Sequence, residues 1–497
     1  MAKLSNKDTD HSVTRERATK AAGWAAIQAW ISRIVSLIVF VLLARLLEPQ
    51  DFGLIAMSAI FINLVQVLLD QSLGAAIIQQ PEVTPDHLDT AFWINLFLGC
   101  GLLVTIVVLA EPISMLMKEP ALATCIRWLS ITFVLGALGS VHQAIMTRHF
   151  RFKALALRSM IATLASGAVA VVMAWLGYGV WSLIIQSLLY SALGTLLVWR
   201  GCEWRPRFHF VWLHAVQFWN FAVHTVSARI VDFFSSRILD LLIGYIFGSI
   251  VLGYYAVGYR LVMVLNQMTT QVTSQISLST FSRLQHDPDR LRRAFYEATQ
   301  LTCLIAFPLF IGLSLLAESV VVVVFGAKWT SAVPYLQILA FQGILLSITY
   351  FFGTALLAQG KPSWWLFLTV IDVILRLIAV IVSVQYGALT VVIAFTIATF
   401  MTLPIGFMLV RRLLAITLRD YVRNYKAPFW GTFFMVCIIF ALQTLSGFAN
   451  LSPEAKLIMG GLVGVVTYLM GAAIADLPAL KRVVSTVAIV ISRKRKH

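Results

Sequence analysis

Four charged residues lie at helical spacing inside an apolar part of the chain. The segment ARIVDFFSSRILDLLIG, residues 228–244, contains Arg229, Asp232, Arg237 and Asp240. At 100° per residue, their side chains fall within an arc of roughly 140° on one helix face, opposite a face of Ile, Val, Leu and Phe. Charged groups within a membrane usually face a protein interior or water, so the pattern predicts a helix that lines a water-filled cavity.

Similar residues interrupt other apolar segments. A charge at the centre of a bilayer costs at least about 2.5–3.5 kcal/mol on insertion scales, so each is a candidate functional group. The arginines are Arg33, Arg127, Arg260 and Arg376, and the other polar residues are Asp70, Gln267, Gln271, Gln275 and Asp372. Arg260 and the three glutamines recur at the spacing of one helix face. For Arg127, a position near the membrane surface with its guanidinium extended into water is an alternative.

The sign of these charges indicates the kind of ligand. The apolar segments contain six arginines and four aspartates, which predicts a net positive cavity. A guanidinium stays charged and binds phosphate oxygens bidentately, so the cavity suits an anionic cargo. The predicted ligands are Arg33, Arg229, Arg237, Arg260 and Arg376. The predicted polar lining or counter-ions are Asp70, Asp232, Asp240, Gln267, Gln271, Gln275 and Asp372.

A structural role is the alternative for the charged residues that have a partner in their own helix. The pairs are Arg229 with Asp232, Arg237 with Asp240, and Asp372 with Arg376. Residues three or four apart neighbour each other on a helix surface, so these pairs could neutralise themselves and hold the fold together. Arg33 and Arg260 lack such a partner, which favours ligand binding for them.

The composition shows what kind of elements must position these residues. Hydrophobic residues make up 60% of the 497 and charged residues 12%, against roughly 45–50% and about 25% in soluble proteins. Apolar runs of 18 or more residues recur, each long enough to cross a bilayer. We predict fourteen membrane helices at 20–47, 51–80, 88–110, 121–147, 152–176, 179–200, 214–247, 249–281, 291–316, 332–358, 362–385, 387–411, 427–447 and 455–476.

The loop charges predict the orientation of the helices. With both termini in the cytoplasm, most of the 38 Lys and Arg residues fall on the cytoplasmic side, and Arg158 is counted among these loop charges. The opposite side receives only Arg45, Lys118, Lys328 and Lys456. This asymmetry is typical of multi-pass membrane proteins. The net charge of +16 therefore reflects membrane topology, and a nucleic-acid partner is not expected.

An internal repeat predicts two related halves. The segment LARLLEPQDFGL at 43–54 resembles IGYIFGSIVLGY at 243–254, with Gly53 matching Gly253, and three further matches follow at offsets of slightly more than 200 residues. Six helices per copy give both copies the same orientation, as in parallel-repeat transporters. The predicted fold is an all-α polytopic membrane protein of two six-helix lobes and two C-terminal helices. The predicted regions are lobes 1–200 and 214–412, linker 201–213, helices within 424–476 and a basic tail 477–497.

Several classes of enzyme and pump lack their sequence signatures here. The chain has no GxxxxGK[ST], GxGxxG or HExxH motif and no large non-membrane domain. We therefore predict no catalytic residue, no metal site and no cofactor. Whether a coupling ion such as H⁺ or Na⁺ drives a transport cycle is left open.

Four segments resemble a known family. LARLLEPQDFGLIAMSAIF, GAAIIQQPEVTPDHLDTAFWINL, FGAKWTSAVPYLQIL and AQGKPSW are similar to the polysaccharide transporters, which are Wzx-type lipid-linked oligosaccharide flippases of the multidrug/oligosaccharidyl-lipid/polysaccharide (MOP) exporter superfamily. Colanic-acid exporters are the nearest type. The resemblance extends from about residue 20 to 430 and implies two lobes around a central cavity.

The resemblance also implies a function. It predicts alternating-access flipping of undecaprenyl-diphosphate-linked oligosaccharides from the cytoplasmic to the periplasmic leaflet of a bacterial inner membrane, for polysaccharide export. The implied partners are this lipid-linked cargo, membrane lipids and polysaccharide polymerase machinery, and a monomer is expected. Two alternatives are an ion-coupled multidrug antiporter of the same fold, which would favour an acidic cavity, and a membrane enzyme acting on lipid-linked sugars.

Overall fold

The computed structural model describes residues 33–70, 77–78, 83–284 and 287–495. Throughout these residues the protein is helical and contains no β-strand, which confirms the predicted all-α fold. The α-helices are α1 (33–46), α2 (Pro49–Asp70), α3 (Pro85–Met117), α4 (Pro120–Leu129), α5 (Ile131–Arg148), α6 (Phe152–Trp175), α7 (Val180–Gly201), α8 (Trp212–Arg283), α9 (Pro288–Leu315), α10 (Ala317–Phe325), α11 (Val333–Ala358), α12 (Pro362–Ser383), α13 (Ala388–Leu414), α14 (Leu418–Asn424), α15 (Lys426–Thr444), α16 (Ser446–Ala449) and α17 (Pro453–Arg495). Two 3₁₀ turns span Ala327–Ala332 and Val384–Tyr386.

Length and composition allow a membrane-spanning role for most of these helices. In the described part of the chain, 12 helical segments are long and apolar enough to cross a bilayer. The protein is therefore a multi-pass membrane protein. The predicted count of fourteen stays a prediction, since the start of the first predicted span, 20–47, lies outside the described residues.

One candidate span contains a sharp turn. The segment Ser236–Thr270 has 35 residues, more than one bilayer crossing requires. Gly248 within it has φ 84° and ψ −179°, a backbone conformation that glycine adopts without steric cost. The side chain of Leu252 lies 3.2 Å from the position that a Cβ on Gly244 would occupy. Residues eight apart in a straight helix are separated by about 12 Å, so the chain folds back at Gly248.

Proline and short polar side chains set several helix starts. Proline occupies the first position of α2, α3, α4, α9, α12 and α17, where its missing N–H would have no partner in the helix. The Asp287 carboxylate accepts a hydrogen bond from the Arg290 N–H and caps α9. Thr417 caps α14 in the same way by accepting from the Asp420 N–H. These local signals fix the boundaries of the helices that carry the candidate residues.

The chain divides into two compact units, with the boundary after Gly253. In the first unit, a core around Phe92 and Val141 joins α3 to α5. In the second unit, a core around Phe295, Phe351 and Phe352 joins α9, α11 and α13. The lobe boundaries expected from the sequence stay a prediction.

The segment that joins α7 to α8 is fixed onto α3 in the first unit. The Arg207 N–H donates to the Asp89 carboxylate at 3.0 Å, and the Val211 N–H donates to the Thr90 hydroxyl at 3.1 Å. The Trp93 indole N–H donates to the Arg207 carbonyl at 2.8 Å. The residues between α7 and α8 therefore contact α3 at defined positions, and the role of 201–213 as a linker between lobes stays a prediction.

Two glycines of the predicted repeat lie at one helix crossing inside the first unit. A Cβ on Gly53 would lie 1.7 Å from the Ser249 carbonyl oxygen, and a Cβ on Gly253 would lie 2.0 Å from the Pro49 carbonyl oxygen. Both positions therefore require glycine. The Glu119 carboxylate accepts from the Ser249 N–H at 3.1 Å and from its hydroxyl at 2.5 Å, which holds the turn after Gly248. Gly53 thus approaches Ser249 while Gly253 approaches Pro49, an exchange that fits the predicted repeat. The repeat itself stays a prediction.

Candidate functional site

Arg237 and Asp240 form an ion pair in the first part of α8. The Arg237 Nη1 atom lies 2.9 Å from the Asp240 Oδ2 atom, as the spacing predicted. The Asp240 side chain is 11% exposed, whereas the Arg237 side chain is 41% exposed. The carboxylate is thus enclosed while the guanidinium keeps an open side. Arg237 lies eleven residues before the turn at Gly248, about 16 Å along the helix, which is near the middle of a ~30 Å hydrocarbon core.

The second part of α8 presents exposed polar residues in the candidate span. Arg260 and Gln267 are both exposed and lie seven residues apart, which puts them on one helix face. Arg260 lies twelve residues after Gly248, about 18 Å along the helix, and so within the hydrocarbon depth. An arginine at this depth needs water or polar groups around it. The exposed face of α8 at Arg260 is therefore a candidate wall of an aqueous path.

Asp372 and Arg376 form a more enclosed ion pair on α12. The Arg376 Nη2 atom lies 2.8 Å from the Asp372 Oδ2 atom, and the side chains are 14% and 18% exposed. The neighbouring helix α13 adds two contacts: Arg376 Nε donates to the Thr399 hydroxyl at 3.1 Å, and the guanidinium lies 4.8 Å from the centre of the Phe395 ring. The other Asp372 oxygen is buried without a hydrogen-bond partner. These contacts favour the structural alternative for this pair.

The other predicted residues are described in part. Arg33 begins the described part of α1 and is half-buried. The side chains of Asp70, Arg229, Asp232, Gln271 and Gln275 lie outside the described ones. The substrate-binding role of every predicted residue therefore stays a prediction. Among the predicted residues, the structure places Arg237 in contact with Asp240 and Asp372 in contact with Arg376.

Two further arginines have partners that the sequence did not reveal. Arg127 contacts Glu111 at 2.8 Å, and both side chains are about half exposed. Arg158, counted from the sequence among the cytoplasmic charges, lies inside α6 and donates to the Gly194 carbonyl at 2.8 Å and to the Gln143 side chain at 2.9 Å. Arg158 thereby ties α6 to α7 and α5. No sequence signal identifies such partners, because they lie on other helices.

The described polar side chains form ion pairs and exposed polar surface. Within the described ranges, no three His, Cys, Asp or Glu side chains come together as metal ligands would. The arginines at α8 can bind an anion through charge-assisted hydrogen bonds.

Comparison with known proteins identifies the family. The sequence profile described as "Polysaccharide biosynthesis protein" matches residues 42–334, which is more than half of the chain. The chain belongs to this family. The match includes most of the candidate residues of α8 and confirms the resemblance seen in the sequence.

The protein is similar to two relatives over most of their length. The lipopolysaccharide biosynthesis protein WzxC of Escherichia coli is 27% identical over 86% of this chain and 88% of its own. The succinoglycan biosynthesis transport protein ExoT of Rhizobium meliloti is 27% identical over 76% of each chain. The similarity to these relatives thus covers a larger share of the chain than the match to the family profile does.

A solved structure has the same fold. The lipid II flippase MurJ, in an inward closed conformation, superimposes with a TM-score of 0.74 over 90% of this chain and 98% of its own, at 16% sequence identity. The identity is too low to carry over the function of individual residues. The chain therefore shares the fold of MurJ, and the roles of its arginines must be argued from its own geometry.

Proposed function

We propose that the protein is a flippase for lipid-linked oligosaccharides. In this proposal it moves undecaprenyl-diphosphate-linked repeat units from the cytoplasmic to the periplasmic leaflet of a bacterial inner membrane for polysaccharide export. Both termini lie in the cytoplasm. The diphosphate is bound by arginines in a cavity between the predicted lobes, and the polyprenyl chain stays in the lipid.

The exposed position of Arg260 carries the proposal. Its guanidinium lies on an exposed helix face about 18 Å from the turn at Gly248, deep enough to meet a phosphate group halfway across the membrane. Arg237, which is 41% exposed beside the enclosed carboxylate of Asp240, is a second accessible cation on the part of α8 before the turn. The family assignment and the names of WzxC, ExoT and MurJ favour a sugar-lipid cargo over a drug.

The arginines divide into two groups in this proposal. Arg33, Arg229, Arg237 and Arg260 bind the diphosphate, and Asp232 and Asp240 compete for two of these guanidiniums. Competition of this kind promotes release, because a transporter that holds its cargo too firmly cannot complete a cycle. Arg376 instead holds α12 to α13 through its bond to Thr399. The remaining residues, Asp70, Gln267, Gln271 and Gln275, contact the sugars or water.

A liposome assay tests the function. The purified protein is reconstituted with a fluorescent undecaprenyl-diphosphate oligosaccharide, and a membrane-impermeant quencher reports how fast the headgroup crosses the bilayer. We expect crossing well above that in empty liposomes, and a loss of about tenfold or more in Arg260→Gln, because one charge-assisted hydrogen bond contributes roughly 1.5–3 kcal/mol. Arg292→Gln, which removes a surface arginine paired with Asp289, is the matched control and should behave as the native protein.

The same liposomes distinguish the alternatives. No crossing with several glycans, with and without H⁺ or Na⁺ gradients, combined with uptake of a cationic dye, would replace the flippase with an antiporter. Chemical alteration of the oligosaccharide lipid, detected by mass spectrometry, would indicate an enzyme. Crossing that Arg260→Gln leaves unchanged would keep the flippase and remove Arg260 from the binding site.

A further inference from the structure

A cavity in the second unit is lined by none of the residues assigned to flipping. It has a volume of about 520 Å³, is open to the surface and is bordered by α9, α11, α13 and α14. Its walls include Phe307, Phe352, Leu403 and Phe407, and Arg411 is the one charged residue in its lining. Ligand pockets typically measure roughly 300–1,000 Å³, so this cavity has the size of a binding site.

The inner wall of the cavity is built from ordered aromatic side chains. Tyr421 is 9% exposed, and its ring centre lies 4.9 Å from that of Phe407 and 6.2 Å from that of Phe352. The Tyr425 hydroxyl donates to the Tyr421 hydroxyl at 2.8 Å. Burial raises the pKa of both phenols, so the two hydroxyls remain neutral and satisfy each other. The wall therefore offers apolar ring surface to whatever occupies the cavity.

The helix at the cavity mouth has the features of a membrane-surface segment. The side chains of Leu418 and Val422 on α14 are 56% and 60% exposed, and both line the cavity. Arg419 and Arg423, one residue further along in each case, are exposed as well. A short helix that exposes apolar and basic side chains together suits the boundary between acyl chains and lipid headgroups.

The charge around the mouth favours an anion. The residues between the end of α13 and the start of α15 are strongly basic, and within residues 411–426 the acidic side chain is Asp420 alone. The exposed basic residues are Arg411, Arg412, Arg419, Arg423 and Lys426. Clusters of basic residues beside a membrane span attract anionic lipids. Arg411 is the member of this cluster that also lines the cavity.

We propose that an anionic phospholipid of the bilayer binds here, with one acyl chain in the cavity and its phosphate against Arg411. At about 30 Å³ for a group the size of water, 520 Å³ holds on the order of 17 such groups, which matches one acyl chain and is far below a polyprenyl chain of 55 carbons. Most of the lining side chains are apolar, which favours an acyl chain over sugars. The proposal does not depend on the proposed flipping activity.

Lipid binding to the purified full-length protein tests the site. The lipid that co-purifies with the protein is first removed. The protein is then incubated with phosphatidylglycerol or phosphatidylcholine of identical acyl chains, and native mass spectrometry measures how much of each stays bound. We expect the native protein to retain phosphatidylglycerol about tenfold better. Arg411→Gln should lose this preference, while Arg412→Gln, which removes the neighbouring charge outside the cavity lining, should keep it.

A second variant tests the cavity itself. Met408 lines the cavity and is 56% exposed, so Met408→Trp should fill the volume without disturbing a buried core. We expect it to lose bound phosphatidylglycerol while its melting temperature without lipid stays at the native value. Equal retention of the two lipids by the native protein, or equal losses in Arg411→Gln and Arg412→Gln, would overturn the proposal. Displacement of phosphatidylglycerol by equimolar undecaprenyl phosphate would also overturn it, by assigning the cavity to the cargo lipid.

Discussion

Arg237 with Asp240 on α8 and Asp372 with Arg376 on α12 are ion pairs of nearly the same spacing in different surroundings. Their shortest nitrogen–oxygen distances are 2.9 and 2.8 Å. The Arg376 side chain is 14% exposed, whereas that of Arg237 is 41% exposed. The neighbouring helix makes the difference, since α13 covers Arg376 with Thr399 and Phe395. Spacing along a helix thus predicts the pair, while the adjacent helix decides whether the guanidinium can reach a ligand.

We expect Arg237 and Arg376 to have different roles although they are chemically the same. A guanidinium that already has a carboxylate, a hydroxyl and an aromatic ring has little capacity left for a phosphate. The Arg237 side chain is 41% exposed, so part of its guanidinium surface is accessible to a ligand. We therefore expect changes at Arg376 to act on stability and changes at Arg237 to act on transport as well.

The largest expected effect is the loss of the enclosed guanidinium. Arg376→Ala leaves the Asp372 carboxylate buried without its counter-ion, which costs roughly 3 kcal/mol or more for a buried pair. Thermal unfolding in detergent should show a clearly lower melting temperature. Arg292→Ala, in the more exposed pair with Asp289, should change stability by less than about 1 kcal/mol. Equal melting temperatures for the two variants would contradict the structural role.

Removal of both charges on α12 should undo much of that loss. Replacement of a buried ion pair by apolar side chains is often neutral or stabilising, because neither charge then needs solvation. We expect the double variant Asp372→Leu, Arg376→Met to recover more than half of the stability lost in Arg376→Ala. The measurement is the same melting curve, with Asp372→Leu alone to complete the cycle. If the double variant lost as much stability as the two single variants together, the ion pair would not be what stabilises α12.

Arg237 should affect transport as well as stability. We expect Arg237→Ala to reduce headgroup flipping in liposomes by about tenfold. Its melting temperature should fall too, because the Asp240 carboxylate is 11% exposed and loses its counter-ion. Arg237→Lys keeps a counter-ion for Asp240 but not the fork of donors, so its stability should stay near the native value while its flipping rate lies between those of the native protein and Arg237→Ala. A flipping rate equal to that of the native protein would assign Arg237 to the structural group.

The smallest expected effect isolates the contact that separates the two pairs. Thr399→Val removes the hydroxyl that accepts from Arg376 and keeps both the ion pair and the shape of the side chain. One hydrogen bond to a charged group contributes roughly 1.5 kcal/mol, and relaxation of the Arg376 side chain should leave a loss of about 1 kcal/mol. Melting curves measure the loss, and flipping should stay at the native rate. A large loss of flipping would instead place Thr399 in the cargo path.

Local signals predicted much of the helical architecture. The boundary expected between spans 214–247 and 249–281 falls on Gly248, where the positive φ requires glycine. Proline at the first position marks helix starts at several other boundaries. The ion pairs within α8 and α12 followed from their spacing of three and four residues. All of these depend on residues close together in the chain.

The contacts between helices could not be predicted from the sequence. Thr399 and Phe395 are separated from Arg376 by about twenty residues, and nothing in their local pattern marks them as its partners. Arg158 looks like a loop charge in the sequence, yet it donates to Gly194 on another helix. Apolar helices can pack against each other at many rotations, so the sequence alone does not determine which side chains meet. The distinction between a structural arginine and a ligand-binding one requires the packed structure.

The most direct test of the account is chemical rescue at Arg260. Arg260→Cys is made in a protein whose five cysteines are replaced, and flipping is measured before and after treatment with thiol reagents of similar size, one cationic and one neutral. We predict that Arg260→Cys flips poorly, that the cationic reagent restores part of the rate and that the neutral reagent does not. Ile374→Cys, at an exposed apolar position on α12, should not react with the water-soluble reagents. Failure of the thiol at position 260 to react, or equal effects of the two reagents, would contradict a water-lined cationic path at this depth.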